Sequence, residues 1–258
     1  MDYNPYAAPT VDDRHLTPGA PGAGAPQPWE VGEVLGLGWE AVKRDWPVLV
    51  FGPFLALFIG NIPGTIFGMV VQLGLVEQFS ATYWLIELPV MLLGMAIQSF
   101  FMVGMLRMFC TAARGGEPEF GVLFGGADRF VSMFFTSLLL FLIVWVGFAL
   151  LIVPGVILAC GLWLATFYAA DGRGPIESLS MSWQATRGHK GQMFLLALAS
   201  FGVLLLGMAA CCVGFFVSLP VTYVATAIVY LRLSGQATAQ LPVGPAGFGP
   251  PPGRPPGF

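Results

Sequence analysis

Two stretches of this chain, residues 130–170 and 191–231, each run for 41 residues without one Asp, Glu, Lys or Arg. At about 1.5 Å per helical residue each reaches roughly 60 Å, enough for two crossings of a hydrocarbon core about 30 Å thick. Neither fits a single span, even a tilted one. Each is therefore expected to be a hairpin of two membrane helices. The reversals are predicted at Val153-Pro154-Gly155 and near Cys212-Val213-Gly214, where Pro and Gly interrupt the helical ladder. A further hairpin is predicted from residue 46 to about residue 106, with its turn around residues 77–83.

The arrangement of charge sets the threading. Only 10% of the residues are charged, against about 25% in soluble domains, so this is not a soluble protein. All 11 Lys and Arg residues fall in the tails or between the hairpins. Arg14, Lys43 and Arg44 precede the first hairpin, and Arg107, Arg114 and Arg129 separate the first from the second. Arg173, Arg187 and Lys190 separate the second from the third, and Arg232 and Arg254 follow it. The three opposite turns contain none, so the positive-inside rule puts both ends of the chain in the cytoplasm. Asp2, Asp12 and Asp13, with no apolar core before Trp29, exclude a signal peptide at this end. Nothing resembles a basic stripe for nucleic acid. Residues 1–28 and 234–258 are rich in Pro, Gly and Ala and are expected to be disordered tails around a membrane domain of residues 29–233. The Pro-rich end favours extended polyproline conformations and is a possible docking peptide for a partner.

An amphipathic segment precedes each hairpin. Before the first, Val31, Leu35, Trp39, Val42 and Trp46 share one helical stripe. Before the third, Ile176, Leu179 and Trp183 form a shorter stripe, and Gly174-Pro175 suits a helix start. Before the second, residues 120–129 form a weaker version. Trp39-Glu40-Ala41-Val42-Lys43 aligns with Trp183-Gln184-Ala185-Thr186-Arg187, which indicates a threefold repeat of interfacial helix plus hairpin. Trp39, Lys43, Trp183, Arg187, His189 and Lys190 are the expected interfacial anchors.

Few residues carry chemistry. Glu87 is the one charged residue well inside the apolar pattern; it either lies within about a turn of the outer surface and reaches water there, or is a functional candidate as an intramembrane carboxylate. Asn61 precedes Pro63-Gly64, a cluster that either kinks a helix or exposes carbonyls as in transporters. With Gln98 these residues form the candidate substrate-binding set; Gln72 is a lesser member. Gly64 and Gly68 form a Gly-x-x-x-Gly pair suited to close helix approach. No nucleophile elbow, metalloprotease helix or Walker loop is present, so no catalytic residue, metal or cofactor is expected. A lipid-modifying enzyme would need His189 or Asp171 beside a headgroup-sized pocket. Cys110, Cys160, Cys211 and Cys212 match no zinc or redox spacing.

The order Val153-Pro154-Gly155-Val156-Ile157, Gly174-Pro175-Ile176-Glu177-Ser178-Leu179, Ser182-Trp183 and Gly188-His189-Lys190 resembles a broad family of bacterial six-helix membrane proteins. That family includes YciC-like proteins and the membrane domain attached to some glycerophosphoryl diester phosphodiesterases. The resemblance covers about residues 30–233 and is strongest after residue 153. It implies a fold and a location in the inner membrane, and no catalytic residue, because the phosphodiesterase activity belongs to a separate soluble domain. The expectation is an all-α polytopic protein: six transmembrane helices as three hairpins, each preceded by an interfacial helix. Its expected role is a non-enzymatic module that binds or organises membrane components, in contact with the lipid bilayer. The alternative is a small transporter or channel lined by Asn61, Glu87 and Gln98.

Overall fold

A computed structural model describes residues 26–209, 213–236 and 238. The chain is all-helical, with no strand among the described residues. Helix α1 (Val31–Arg44) leads into α2 (Trp46–Gln72) and α3 (Ala81–Ala113). A short 3-10 turn (Phe120–Phe124) precedes α4 (Phe130–Leu150), α5 (Ile152–Leu162) and α6 (Ala165–Ala170). Helix α7 (Pro175–Ala185) precedes α8 (Lys190–Ala209) and α9 (Val213–Leu233). Helices α2, α3, α4, the α5–α6 pair, α8 and α9 are each long and apolar enough to cross a membrane. The protein is thus a multi-pass membrane protein of three hairpins, each with its own preceding segment.

Local signals explain the boundaries. Pro47 and Pro175 sit in the first turns of α2 and α7, where a missing N–H costs nothing. The Ser80 hydroxyl caps α3 by accepting from the Tyr83 amide at 3.1 Å. The second hairpin reverses at Leu151, which is extended (φ −163, ψ 151), slightly before the expected Val153-Pro154-Gly155. Pro154 and Gly155 fall in the first turn of α5 for the reason Pro47 suits α2. Of the reversal predicted near Cys212-Val213-Gly214, Val213 and Gly214 open α9, while Cys212, like Cys211, lies outside the described residues.

The three units pack in a ring. Each preceding segment lies on the second helix of another hairpin: the 3-10 turn on α3, α7 on α5 and α6, and α1 on α9. Glycines permit these crossings. A Cβ on Gly38 of α1 would meet the Val221 carbonyl oxygen of α9 at 2.7 Å. Gly104 of α3 is covered by the Leu123 and Val122 carbonyls of the 3-10 turn, and Gly161 of α5 by the Trp183 ring of α7. Within the hairpins, Gly147 faces Gly155 and Gly207 faces Gly214. In the first hairpin the close approach is Gly60 to Gly94, and within this chain Gly64 and Gly68, suited to contact inside the bundle or between protomers, have nothing within 4 Å of an added Cβ.

All the described basic residues gather at one pole. Arg44 donates to the Gly115 and Gly116 carbonyls, and Arg232 makes two bonds to the Glu33 carboxylate. The Arg232 guanidinium holds the Glu33 carboxyl below its ordinary range, more than offsetting the opposing effect of partial burial. Hydrogen bonds tie the two ends of the described chain to the bundle. The Gln27 amide donates to the Arg232 carbonyl, and Gln236 is buried between Arg114 and Asp171. Residues 1–25, 237 and 239–258, with His15 and the Pro-rich segment, lie outside the described residues.

Candidate functional site: a polar cleft between α2 and α3

The close approach of Gly60 and Gly94 brings α2 and α3 together at mid-helix and leaves a cleft of about 520 Å³ beside it. Glu87, Val90, Met91, Gly94, Met95 and Gln98 line it from α3. Their three- and four-residue spacing places them on one helix face, over about 16 Å from Glu87 to Gln98. Gly60, Asn61 and Gly64 line it from α2. Ser137 of α4 and Tyr223 of α9 close it, so all three hairpins contribute. The three residues singled out for substrate binding, Asn61, Glu87 and Gln98, therefore meet in one place. Gln72 does not join them: it is exposed at the end of α2.

The polar groups are not equivalent. The Asn61 side-chain amide donates to the Leu57 carbonyl at 2.7 Å, so its own carbonyl oxygen is left as an acceptor. Asn61 and Pro63 lie within a continuous α2, and the Thr65 hydroxyl back-bonds to the Asn61 carbonyl. No unwound stretch forms there. The Gln98 carboxamide lies against Gly60, where any Cβ would displace it. Glu87 is half-buried, and among the described residues no Lys or Arg lines the cleft. Ser99 and Met102, deeper along α3, complete the wall. The lining offers the Asn61 carbonyl oxygen, the Glu87 carboxyl group and the Gln98 carboxamide as acceptors. Such a lining suits a ligand that brings N–H or O–H donors or a positive charge. The sequence singled out the three α2 and α3 residues, but not Ser137 or Tyr223. Only packing brings those two to the site, and nothing in their local sequence marks them.

The anchors fall into two groups. Trp39 is exposed on α1, with the Lys43 ammonium 5.9 Å from its ring and paired to Glu40 at 2.7 Å. Trp183 instead packs inward on Gly161, and the Lys190 ammonium lies 3.3 Å above its ring. Arg187 is exposed, and the His189 ring hydrogen-bonds with the Arg187 carbonyl at 3.3 Å. Among the described residues no group of three or more His, Cys, Asp or Glu could hold a metal. Cys110 and Cys160 are buried free thiols.

Comparison with known proteins gives distant relatives. The chain is 26% identical over 248 residues to the uncharacterized protein Rv2560 of Mycobacterium tuberculosis, covering 89% of this chain and 75% of that one. The uncharacterized protein Mb2590 of Mycobacterium bovis matches to the same extent. No protein-family model matches the chain. No solved structure matches it either.

Proposed function

We propose that this is a non-enzymatic inner-membrane protein that binds a small donor-bearing or cationic ligand in the α2–α3 cleft, as a small transporter would. The observation that carries the reading is the meeting of Asn61, Glu87 and Gln98 in one cleft to which all three hairpins contribute. Sites of that kind, near mid-span where repeats join, are the usual location of transporter substrates. The gathering of basic residues at one pole supports cytoplasmic ends on that side. The order of motifs from Val153 to Lys190 supports placing the chain with the YciC-like six-helix proteins. Asp171, the acid considered for lipid chemistry, already accepts from Tyr230 and Gln236, which supports a structural role. An organising role would draw on the exposed Trp39, Trp46 and Ile176, which suit lipid as well as a partner, so it ranks second.

The test is native mass spectrometry of full-length protein released from native-lipid nanodiscs. A small molecule retained by wild type and lost from Glu87→Gln is the expected result. Retention unchanged in Glu87→Gln and Asn61→Ala, or no retained molecule in wild type, would remove the reading. A stoichiometric protein partner lost on deletion of residues 234–258 would favour the organising role.

A further inference from the structure

A second cleft, of about 540 Å³, opens at the basic pole between the ends of α3 and α6. Arg107, Arg114 and Arg129 line it, opposed by Asp128 and Asp171. The carboxylates are already engaged. Asp128 is shared by Arg107 at 2.7 Å and Arg129 at 3.5 Å. Asp171 accepts from the Tyr230 hydroxyl and the Gln236 amide. Among the described residues Arg114 pairs with the neutral Gln236 alone. Three guanidiniums against two carboxylates leave one positive charge, and among the described residues most of the N–H donors of Arg114 and Arg129 have no partner.

Depth points to the ligand. Arg129 immediately precedes α4, where that helix enters the apolar layer, so its guanidinium lies at headgroup level. Arg107 binds the same Asp128 and lies at the same depth. Basic pockets between membrane helices at this level suit phosphate-bearing headgroups, because planar guanidiniums match phosphate oxygens in pairs.

We propose that this cleft binds an anionic phosphate group, held chiefly by Arg114 and Arg129. The site is separate from the α2–α3 cleft and does not depend on the function proposed there. The phosphate comes either from an anionic phospholipid or from solution.

The experiment uses full-length protein in detergent, given phosphatidylglycerol, phosphatidylcholine or inorganic phosphate in turn. Bound lipid is read by native mass spectrometry, and protection by the melting temperature. The expected result is one phosphatidylglycerol retained in preference to phosphatidylcholine. Arg114→Gln and Arg129→Gln should each weaken retention about tenfold, the loss of one charge-assisted hydrogen bond. Arg187→Gln, exposed and outside the cleft, should leave it unchanged. Retention of phosphatidylglycerol with no protection by inorganic phosphate assigns a lipid. Protection by inorganic phosphate alone, lost in the same two variants, assigns a soluble phosphate. Equal retention of both lipids without phosphate protection, or binding unchanged in both variants, overturns the proposal. Arg129→Gln removes a 3.5 Å contact with Asp128 and the guanidinium that lies over Gly172, so each variant's melting temperature without ligand is the check against misfolding.

Discussion

Helices α8 and α9 are the two arms of one hairpin, similar in length and both strongly apolar, yet 67% of the α9 span is buried and only 22% of α8. The same division runs through the other hairpins. The α5–α6 span is 50% buried against 17% for α4, and α3 28% against 17% for α2. The second arm is the inner one each time. Hydrophobicity cannot make this choice, since lipid is as apolar as the protein interior. Small residues and short hydroxyls can, because they allow backbones to approach. Helix α9 carries Thr222, Ala225, Thr226 and Ala227 on its buried surface, whereas α8 exposes Phe194, Leu195, Leu198 and Phe201. The inner arms also receive the preceding segments, so each is packed from two sides.

Overfilling an inner contact should give the largest effect. Gly161→Leu would collide with the Trp183 ring and force α7 off α5, costing about 3 kcal/mol. Gly202→Leu on the outer α8 has open space and should change stability by less than about 0.5 kcal/mol. Reversible unfolding in mixed micelles compares the pair, and equal losses would break the inner–outer distinction.

Next in size is the tie between α9 and α1. Arg232→Gln removes both bonds to Glu33 and should cost about 2 kcal/mol, moderated by the partial exposure of the carboxylate. It should also remove a pH dependence. The Glu33 carboxyl titrates lower in the folded protein than its ordinary 4.5. Its contribution is therefore complete above about pH 4.5 and is lost as pH falls through the depressed folded value. Melting temperatures from pH 3 to 7 should fall less steeply at the acid end in Arg232→Gln than in wild type.

Smaller effects sharpen the same picture. Thr186→Val removes one of two hydroxyls that donate to the Gly161 carbonyl, each at 3.0 Å, and should cost about 1 kcal/mol. Lys190→Gln removes a cation–π contact at the entry to the outer α8 and should cost about 0.5 kcal/mol by the same unfolding assay. Gly60→Ala should be nearly neutral for stability, because the Gln98 carboxamide that it meets is the end of a flexible side chain. It should nevertheless displace Gln98 and reduce ligand retention by native mass spectrometry, while Gly64→Ala, with open space, should not.

The interfacial helices show how far the sequence could be read. The α1 stripe of Val31, Leu35, Trp39, Val42 and Trp46 correctly marks a helix at that place. The face actually buried is Val34, Leu37, Gly38 and Val42, turned by about one residue, which leaves Trp39 outside. In α7 the buried face is Ser178 and Ser182, continued by the C-cap Thr186, while Ile176 of the apolar stripe is exposed. A hydrophobic stripe reports the side that prefers to leave water. In a membrane interface, lipid and protein both satisfy that preference, so contact with protein goes to the residues that allow close packing.

The sequence alone determined the six spans, their pairing into hairpins and the pole that holds the basic residues. Each of these follows from the length of uncharged runs, the chain-breaking of Pro and Gly, and the cost of placing charge in hydrocarbon. It also marked Asn61, Glu87 and Gln98, because polar groups stand out against an apolar background. Tertiary structure decided the rest: which arm lies inside, which glycines meet, and that Ser137 and Tyr223 join the α2–α3 cleft. It alone gathered Arg107, Arg114 and Arg129 around one basic cleft. Those outcomes depend on shape matching between helices distant in sequence, and local composition carries no record of the partner that each face will meet.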